Sequence, residues 1–189
     1  MDEVTRAEQL SSALTAGDWR PLPPNAENLL TTDNAPPRLA AHLRVVHDVA
    51  CQLVEWTPVR VDAEAVLFGA ATHDLGKTLH TNELSGPGHE HEEAGYQQLR
   101  SHGVDDRLAR FARTHASWAT MPVELEDLLV SLADKVWKAK RVQDLEEMVV
   151  ARLAGDRPTW EVFMELDDEL TRIAAGADNR LAFQSTYPV

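Results

Sequence analysis

The stretch "DAEAVLFGAATHDLGK", residues 62–77, sets the strongest limit on what this chain can fold into. No charge interrupts it from Ala65 to His73, as expected of a helix buried on most of its sides. Asp62 is placed to cap its N-terminus and Gly76 to end it. Such a helix must lie among others, and its last turn carries His73 and Asp74 into that apolar setting. A buried carboxylate without a partner is costly. The pair therefore asks for a compensating cation, and histidines with carboxylates are donors that a divalent transition metal accepts. Neighbouring helical residues point about 100° apart, so His73 and Asp74 can ligate from two directions.

The rest of the chain reads as helices too. Residues 3–15 fit a short amphipathic helix, and "RPLPPNAENLLTTDNAPP" reads as an ordered loop or connecting arm. Pro36 and Pro37 suit a helix start. Beyond them Leu39, Leu43, Val46, Val49, Ala50 and Leu53 form a core-facing stripe. "HEHEEAGYQQLRSHG" has acidic residues in its first turn and Gly103 as its stop. "DDRLARFARTHASW" and one or two helices from Pro122 follow, and "TWEVFMELDDELTRIAAG" supplies the last. The expected organisation is all-α: an N-terminal helix and arm over 1–35, a helical domain over 36–176 and a tail over 177–189. At 189 residues the chain is long enough to bury a substantial core without a metal.

Against 31 Asp plus Glu stand only 18 Lys plus Arg, a formal charge of -13. That balance opposes extended contact with nucleic acid or an anionic membrane surface. A small anion in a locally positive pocket stays compatible with it. The single cysteine, Cys51, excludes an internal disulfide framework and agrees with a reducing compartment. No signal-like start and no membrane-length apolar run is present, so the expected location is cytoplasmic. Apolar residues in the terminal helices leave a homodimer open.

A second His-Asp pair, His47 and Asp48, occurs earlier, on the face shared with Arg44, Gln52 and Glu55. That face reads as polar and solvated, whereas His42 falls inside the apolar stripe between Leu39 and Val46. His80 and His102 also read as solvated. His115 continues the stripe of Leu108, Phe111 and Ala112, and Asp134 interrupts "LLVSLADKVW" between Val130 and Trp137. His91 lies one turn before Gly95, whose missing side chain would let two helices approach closely. His89 competes with it for the same role.

The ordered set of His42, "HDLGK" at 73–77, "HEEAG" at 91–95, His115, and Asp134 in "LADK" resembles the HD-domain superfamily of metal-dependent phosphohydrolases, over roughly residues 36–140. The resemblance implies an all-α helical bundle with the metal site between helices. It implies His42, His73, Asp74 and Asp134 as shared ligands, with His91 and His115 as the extra histidines of binuclear members. Two divalent ions (Mn, Fe, Co, Ni or Mg) are then expected, bridged by Asp74.

The implied activity is phosphate release from a small phosphorylated metabolite, a nucleotide first among them, with Asp74 and Lys77 in the catalytic machinery. Lys77 and Lys138 are candidates to meet the phosphate and Trp118 to stack on the substrate. An ordinary helix ion pair between Asp134 and Lys138 is the plain alternative. His115 lacks the paired histidine and Gly-Tyr-Pro signature of cyclic dinucleotide phosphodiesterases. Lys77 stands where the nucleoside-monophosphatase branch carries an acidic residue. Two further readings keep the same ligands: a mixed-valent di-iron oxygenase acting on a polyol or phosphonate, and a ligand-binding module without turnover.

Overall fold

The computed structural model describes residues 3–189, and no strand occurs among the described residues. The α-helices run in the order α1 (Glu3–Thr15), α2 (Pro24–Thr32), α3 (Pro37–Trp56), α4 (Ala63–Thr72), α5 (Glu90–Ser101), α6 (Asp106–Ala109), α7 (Phe111–Thr114), α8 (Leu125–Val136), α9 (Gln143–Ala154), α10 (Thr159–Ala174) and α11 (Ala177–Ser185). Two 3₁₀ turns, Leu75–Thr78 and Thr81–Leu84, bridge α4 and α5. No helix is long and apolar enough to cross a membrane.

The long helix α3 is the axis of the bundle, packed against α1, α4, α8 and α11. Its apolar stripe is buried as the spacing predicts, and fully covered side chains such as Leu43, Phe68, Phe111 and Leu128 extend the core across α4, α7 and α8. Each contributes roughly 1.5–3 kcal/mol relative to an exposed position.

The opposite face of α3 corrects an expectation. Arg44, His47 and Asp48 are buried rather than solvated, at 3 %, 3 % and 9 % exposure. The cause is the N-terminal arm, which lies over this face. The Arg44 guanidinium donates to the carbonyls of Ala16 (2.6 Å), Trp19 (3.2 Å) and Thr15 (3.3 Å). Carbonyls near the end of α1 have no intrahelical partner and suit a cation. Asp48 in turn accepts from the Arg20 backbone N–H at 3.2 Å and from Gln52 at 2.9 Å. Arg44 and Asp48 thus fasten the arm to the bundle.

Three further expectations change. The arm contains a helix, α2, because Pro24 pre-sets its first turn and Ala26 and Leu30 bury against the core. The region 177–189 is not a plain tail: α11 docks on α3 and holds there through buried Arg180, whose Nε donates to the Trp137 carbonyl at 2.7 Å. Helix α4 stops at Thr72 with His73 as its C-cap, so Gly76 lies in the 3₁₀ turn beyond it. Gly76 serves contact rather than termination. A Cβ there would overlap the His91 carbonyl oxygen and stand 2.6 Å from the Gly95 nitrogen. Gly95 answers from α5, where a Cβ would lie 3.0 Å from the Gly76 nitrogen. This glycine pair lets the turn carrying Asp74 rest directly on the helix carrying His91.

Candidate metal centre

Six side chains from five helices converge beside that contact. His42 comes from the second turn of α3, and His73 and Asp74 from the end of α4. His91 comes from the first turn of α5, His115 from the end of α7 and Asp134 from α8. All but Asp134 are buried; its side chain keeps 14 % exposure. His91 is the inward histidine, while His89 caps α5 from an exposed position.

Asp74 divides its two oxygens between two groups of rings. Oδ2 lies 3.4 Å from His42 Nε2 and 3.7 Å from His73 Nε2. Oδ1 lies 3.0 Å from His91 Nε2 and 3.5 Å from His115 Nε2. Asp134 closes the first group, its Oδ1 being 3.4 Å from His42 Nε2 and 3.5 Å from His73 Nε2. The donor atoms of His42, His73 and Asp134 lie within 4.8 Å of one another, as do those of His73, Asp74 and His115.

In three of the four rings the other nitrogen is engaged elsewhere, which aims Nε2 inward; His42 Nδ1 is buried without a hydrogen-bond partner. His73 Nδ1 donates to the Ala70 carbonyl at 3.0 Å, and His115 Nδ1 to the carbonyls of Ala112 (3.1 Å) and Phe111 (3.2 Å). His91 Nδ1 donates to buried Glu83. That leaves His73 Nε2, His91 Nε2 and Asp74 Oδ1 buried without a hydrogen-bond partner. His91 Nε2 and Asp74 Oδ1 are close yet not aligned for a hydrogen bond. Orphaned donors and acceptors of this kind are rare in a folded interior. Their convergence, with imidazole and carboxylate chemistry, fits divalent metal.

The shifts at His115, Asp74 and Asp134 agree with ligation, while against the effect of burial Asp134 and Asp74 raise His42, and Asp74 and Glu83 raise His91. Burial, helped by the charge of neighbouring His73, pushes His115 down to about 3, so its ring is neutral. Burial opposes ionisation of Asp74, yet His73, His42 and His91 hold its carboxyl well below the usual carboxylate range. His42 and His73 do the same for Asp134 against the same opposition.

Above the ligands opens a cleft of about 610 Å³. His42, Asp74, His91, His115 and Asp134 line its floor. Lys77, Lys135 and Lys138, three of the chain's four lysines, line it as well, together with Arg38. In so acidic a chain this concentration of cations makes the cleft a place for an anion. Lys77 Nζ sits 2.6 Å from Asp74 Oδ2, and Lys135 Nζ 2.6 Å from Asp134 Oδ2. The partner of Asp134 is therefore Lys135, and Lys138 stands exposed with its Nζ 5.6 Å from the Trp137 ring centroid. The structure does not bring Trp118 to the cleft; it packs on the core margin with Lys135 Nζ 5.6 Å from its ring centroid. Residues not foreseen are Glu83, Lys135, Arg38, and Leu181 and Gln184 of α11 on the cleft wall.

The model of the HD domain family matches residues 39–137, a span that holds all six side chains. The chain belongs to the HD domain family. Membership makes it one of a family of metal-dependent hydrolase type, and the His and Asp clusters are compatible with divalent metal. The HD chain is similar to a tRNA (cytidine(56)-2'-O)-methyltransferase of Picrophilus torridus, 28% identical over 123 residues, which cover 65% of this chain and 32% of that protein. It is similar also to the uncharacterized protein MJ0778 of Methanocaldococcus jannaschii, 28% identical over 131 residues, covering 60% of this chain and 74% of the relative. The chain thus spans about a third of the methyltransferase's length. No solved structure matches it.

Proposed function

We infer that this HD domain is a phosphomonoesterase that holds two divalent ions and releases phosphate from a small phosphorylated metabolite, with nucleotides the first class to test. The observation that carries the reading is the carboxylate of Asp74, split between two histidine groups at the floor of a cation-lined cleft. His42, His73, Asp134 and Asp74 Oδ2 would hold one ion, and His91, His115 and Asp74 Oδ1 the other. Bound there, the pair would supply Lewis-acid polarisation of phosphate oxygens and a more acidic water.

The chain's own groups orient the reaction. Lys77 and Lys135 keep their ammonium groups beside the ligand carboxylates and on the cleft lining, as charge-assisted donors to phosphate oxygens. The buried apolar walls of α4, α7 and α8 keep bulk water from the back of the ligand set, which strengthens each of these interactions. The carbonyls of Ala70, Phe111 and Ala112 and the carboxylate of Glu83 fix three of the four rings. Positioning of this kind is a large part of what such a site contributes.

The test is phosphate release from a panel of phosphate esters with Mn, Co, Ni, Fe or Mg, lost in His73→Ala and Asp74→Ala variants that keep their helical spectra. No release with any metal overturns the reading. Activity confined to iron and accompanied by oxygen consumption would replace it with the di-iron oxygenase reading, and ligand affinity without turnover with the binding-module one.

A further inference from the structure

Two cations of the cleft lining remain without a carboxylate partner, and α11 with its following residues borders both. Arg38 is in the first turn of α3, four residues before His42. Lys138 follows the end of α8, four residues after Asp134. Each is displaced from its ligand by about one helical turn, roughly 6 Å along the chain's local axis. Helix α11 and its following residues tie the two positions together. Arg180 donates to the carbonyl of Trp137, next to Lys138, and the Arg38 backbone N–H donates to the Pro188 carbonyl at 3.2 Å. Leu181 and Gln184 of α11 complete this part of the wall.

Outside the cleft, Arg6, Arg44, Arg100, Arg152 and Arg180 donate to backbone carbonyls, and Arg60 and Lys140 lie exposed. Arg20, Arg107, Arg110, Arg113, Arg141, Arg157 and Arg172 each hold a carboxylate. Lys77 and Lys135 hold the ligand carboxylates. Among the described residues, neither the Arg38 guanidinium nor the Lys138 ammonium has an acidic partner. The acidic residues lining the cleft are Asp74, Glu92 and Asp134; Asp74 and Asp134 belong to the ligand set, and Glu92 accepts from Ser117 and adjoins His91. Within the cleft lining, Arg38 and Lys138 are the two cations that no carboxylate neutralises.

We propose that Arg38 and Lys138 form a second anion subsite, so that the substrate class is a small phosphorylated compound bearing a further phosphate or carboxylate at its other end. This rests on the phosphohydrolase reading for the phosphoryl group at the ligand floor. The guanidinium offers a planar fork and the ammonium a point charge, and Gln184 adds an amide beside them. A compound with a single phosphate fills the floor and leaves the rim cations solvated.

Matched pairs test this: fructose bisphosphate against fructose monophosphate, and phosphoglycerate against glycerophosphate. Phosphate release gives kcat and KM, and thermal shift with the same compounds gives binding without turnover. The two-ended member of each pair is expected to show the lower KM. In the Arg38→Gln/Lys138→Gln double variant that KM rises about tenfold or more, with kcat little changed and the single-phosphate partner unaffected. The single variants keep the proposal testable should the double variant not fold. Whether bisphosphate or phosphoglycerate shows the larger shift tells phosphate from carboxylate.

Turnover with equal KM across each pair, unmoved by the variants, overturns the subsite and leaves the hydrolase reading standing. Absence of turnover with a thermal shift from two-ended compounds, lost in the variants, does the reverse. Absence of both turnover and shift overturns both.

Discussion

Glu83 is 5 % exposed and spends its carboxylate wholly on α5. Oε1 accepts the backbone N–H of Glu90 at 3.1 Å, and Oε2 accepts the backbone N–H of His91 at 3.3 Å and its ring Nδ1–H. Three donors thus meet one buried anion that fixes both the start of α5 and the orientation of the His91 ring. In Glu83→Gln the shape is kept, but whichever way the amide faces, an NH₂ meets a donor. In the better orientation the NH₂ opposes the single Glu90 N–H, and losing that charge-assisted bond costs about 1.5–3 kcal/mol of folding stability. The ring keeps at best a neutral amide oxygen in place of the carboxylate that holds Nε2 3.0 Å from Asp74 Oδ1. Partners of this kind are typically worth about 10–100-fold in metal affinity. Calorimetric titration of the metal-free protein with Mn(II) is the assay, and circular dichroism confirms that the variant is folded. The expected result is weakening at the site containing His91 and His115, with the His42, His73 and Asp134 site changed far less. Glu90→Gln, at an exposed position in the same turn, should leave both sites as they are. A folded Glu83→Gln protein that binds both equivalents as tightly as the parent would refute the argument.

Two further outcomes follow from the packing. Burial pushes His47 down to about 4 from an ordinary 6.5, so its native ring is neutral while the unfolded chain takes up a proton below 6.5. Stability should therefore fall as pH drops from 6.5 to about 4 and level off beneath, a loss of about 3 kcal/mol from this group. Denaturant unfolding across that window should show a shallower pH slope in His47→Leu, and parallel profiles would place the proton uptake elsewhere. Gly76→Ala puts a methyl group against backbone of α5, where no side chain can yield, at a cost of about 3 kcal/mol or more. Its melting temperature and its Mn(II) affinity should drop together, because the turn bearing Asp74 must move off the helix bearing His91; a drop in neither would show that the turn can relax without disturbing the site.

The helical class and the convergence of the six candidate ligands were readable in the sequence because in this fold the buried polar residues coincide with the periodicity. His42, His115 and Asp134 interrupt apolar stripes, and a polar residue on a buried stripe stands out without any knowledge of its neighbours. Glu83 gave no such signal. It lies in a short polar turn, and only the folding of that turn against α5 makes its carboxylate buried. Lys135 was hidden for a different reason: residue i+1 on a helix points about 100° away, so Lys138 at i+4 looked like the partner of Asp134, whereas the long Lys135 side chain swings back to it. His47 and Asp48 read as solvated in the sequence because amphipathicity reports how polar a face is, not what covers it. The arm from residues 16 to 22 covers this one, and Arg44 satisfies the arm's carbonyls from beneath.

These differences fall into a pattern that bears on how the site can diversify. The ligands sit on α3, α4, α5, α7 and α8, whose packing is fixed by the shared core and by the contact of Gly76 with Gly95. Changing any of them disturbs both the metal set and the fold. The rim is built otherwise, from the first turn of α3, the residues just after α8, and α11, which packs on α3 and is tied to the end of α8 by the buried guanidinium of Arg180. Arg38, Lys138, Leu181 and Gln184 can therefore change without touching a ligand or emptying the core. Loosening the anchor is a different perturbation, since α11 would lose its hold on the Trp137 carbonyl while the ligands stayed where α3 and α8 put them. Under the proposed function, a rigid floor beside a replaceable rim would let one ligand pattern accompany different substrates, with specificity set by rim residues outside that pattern.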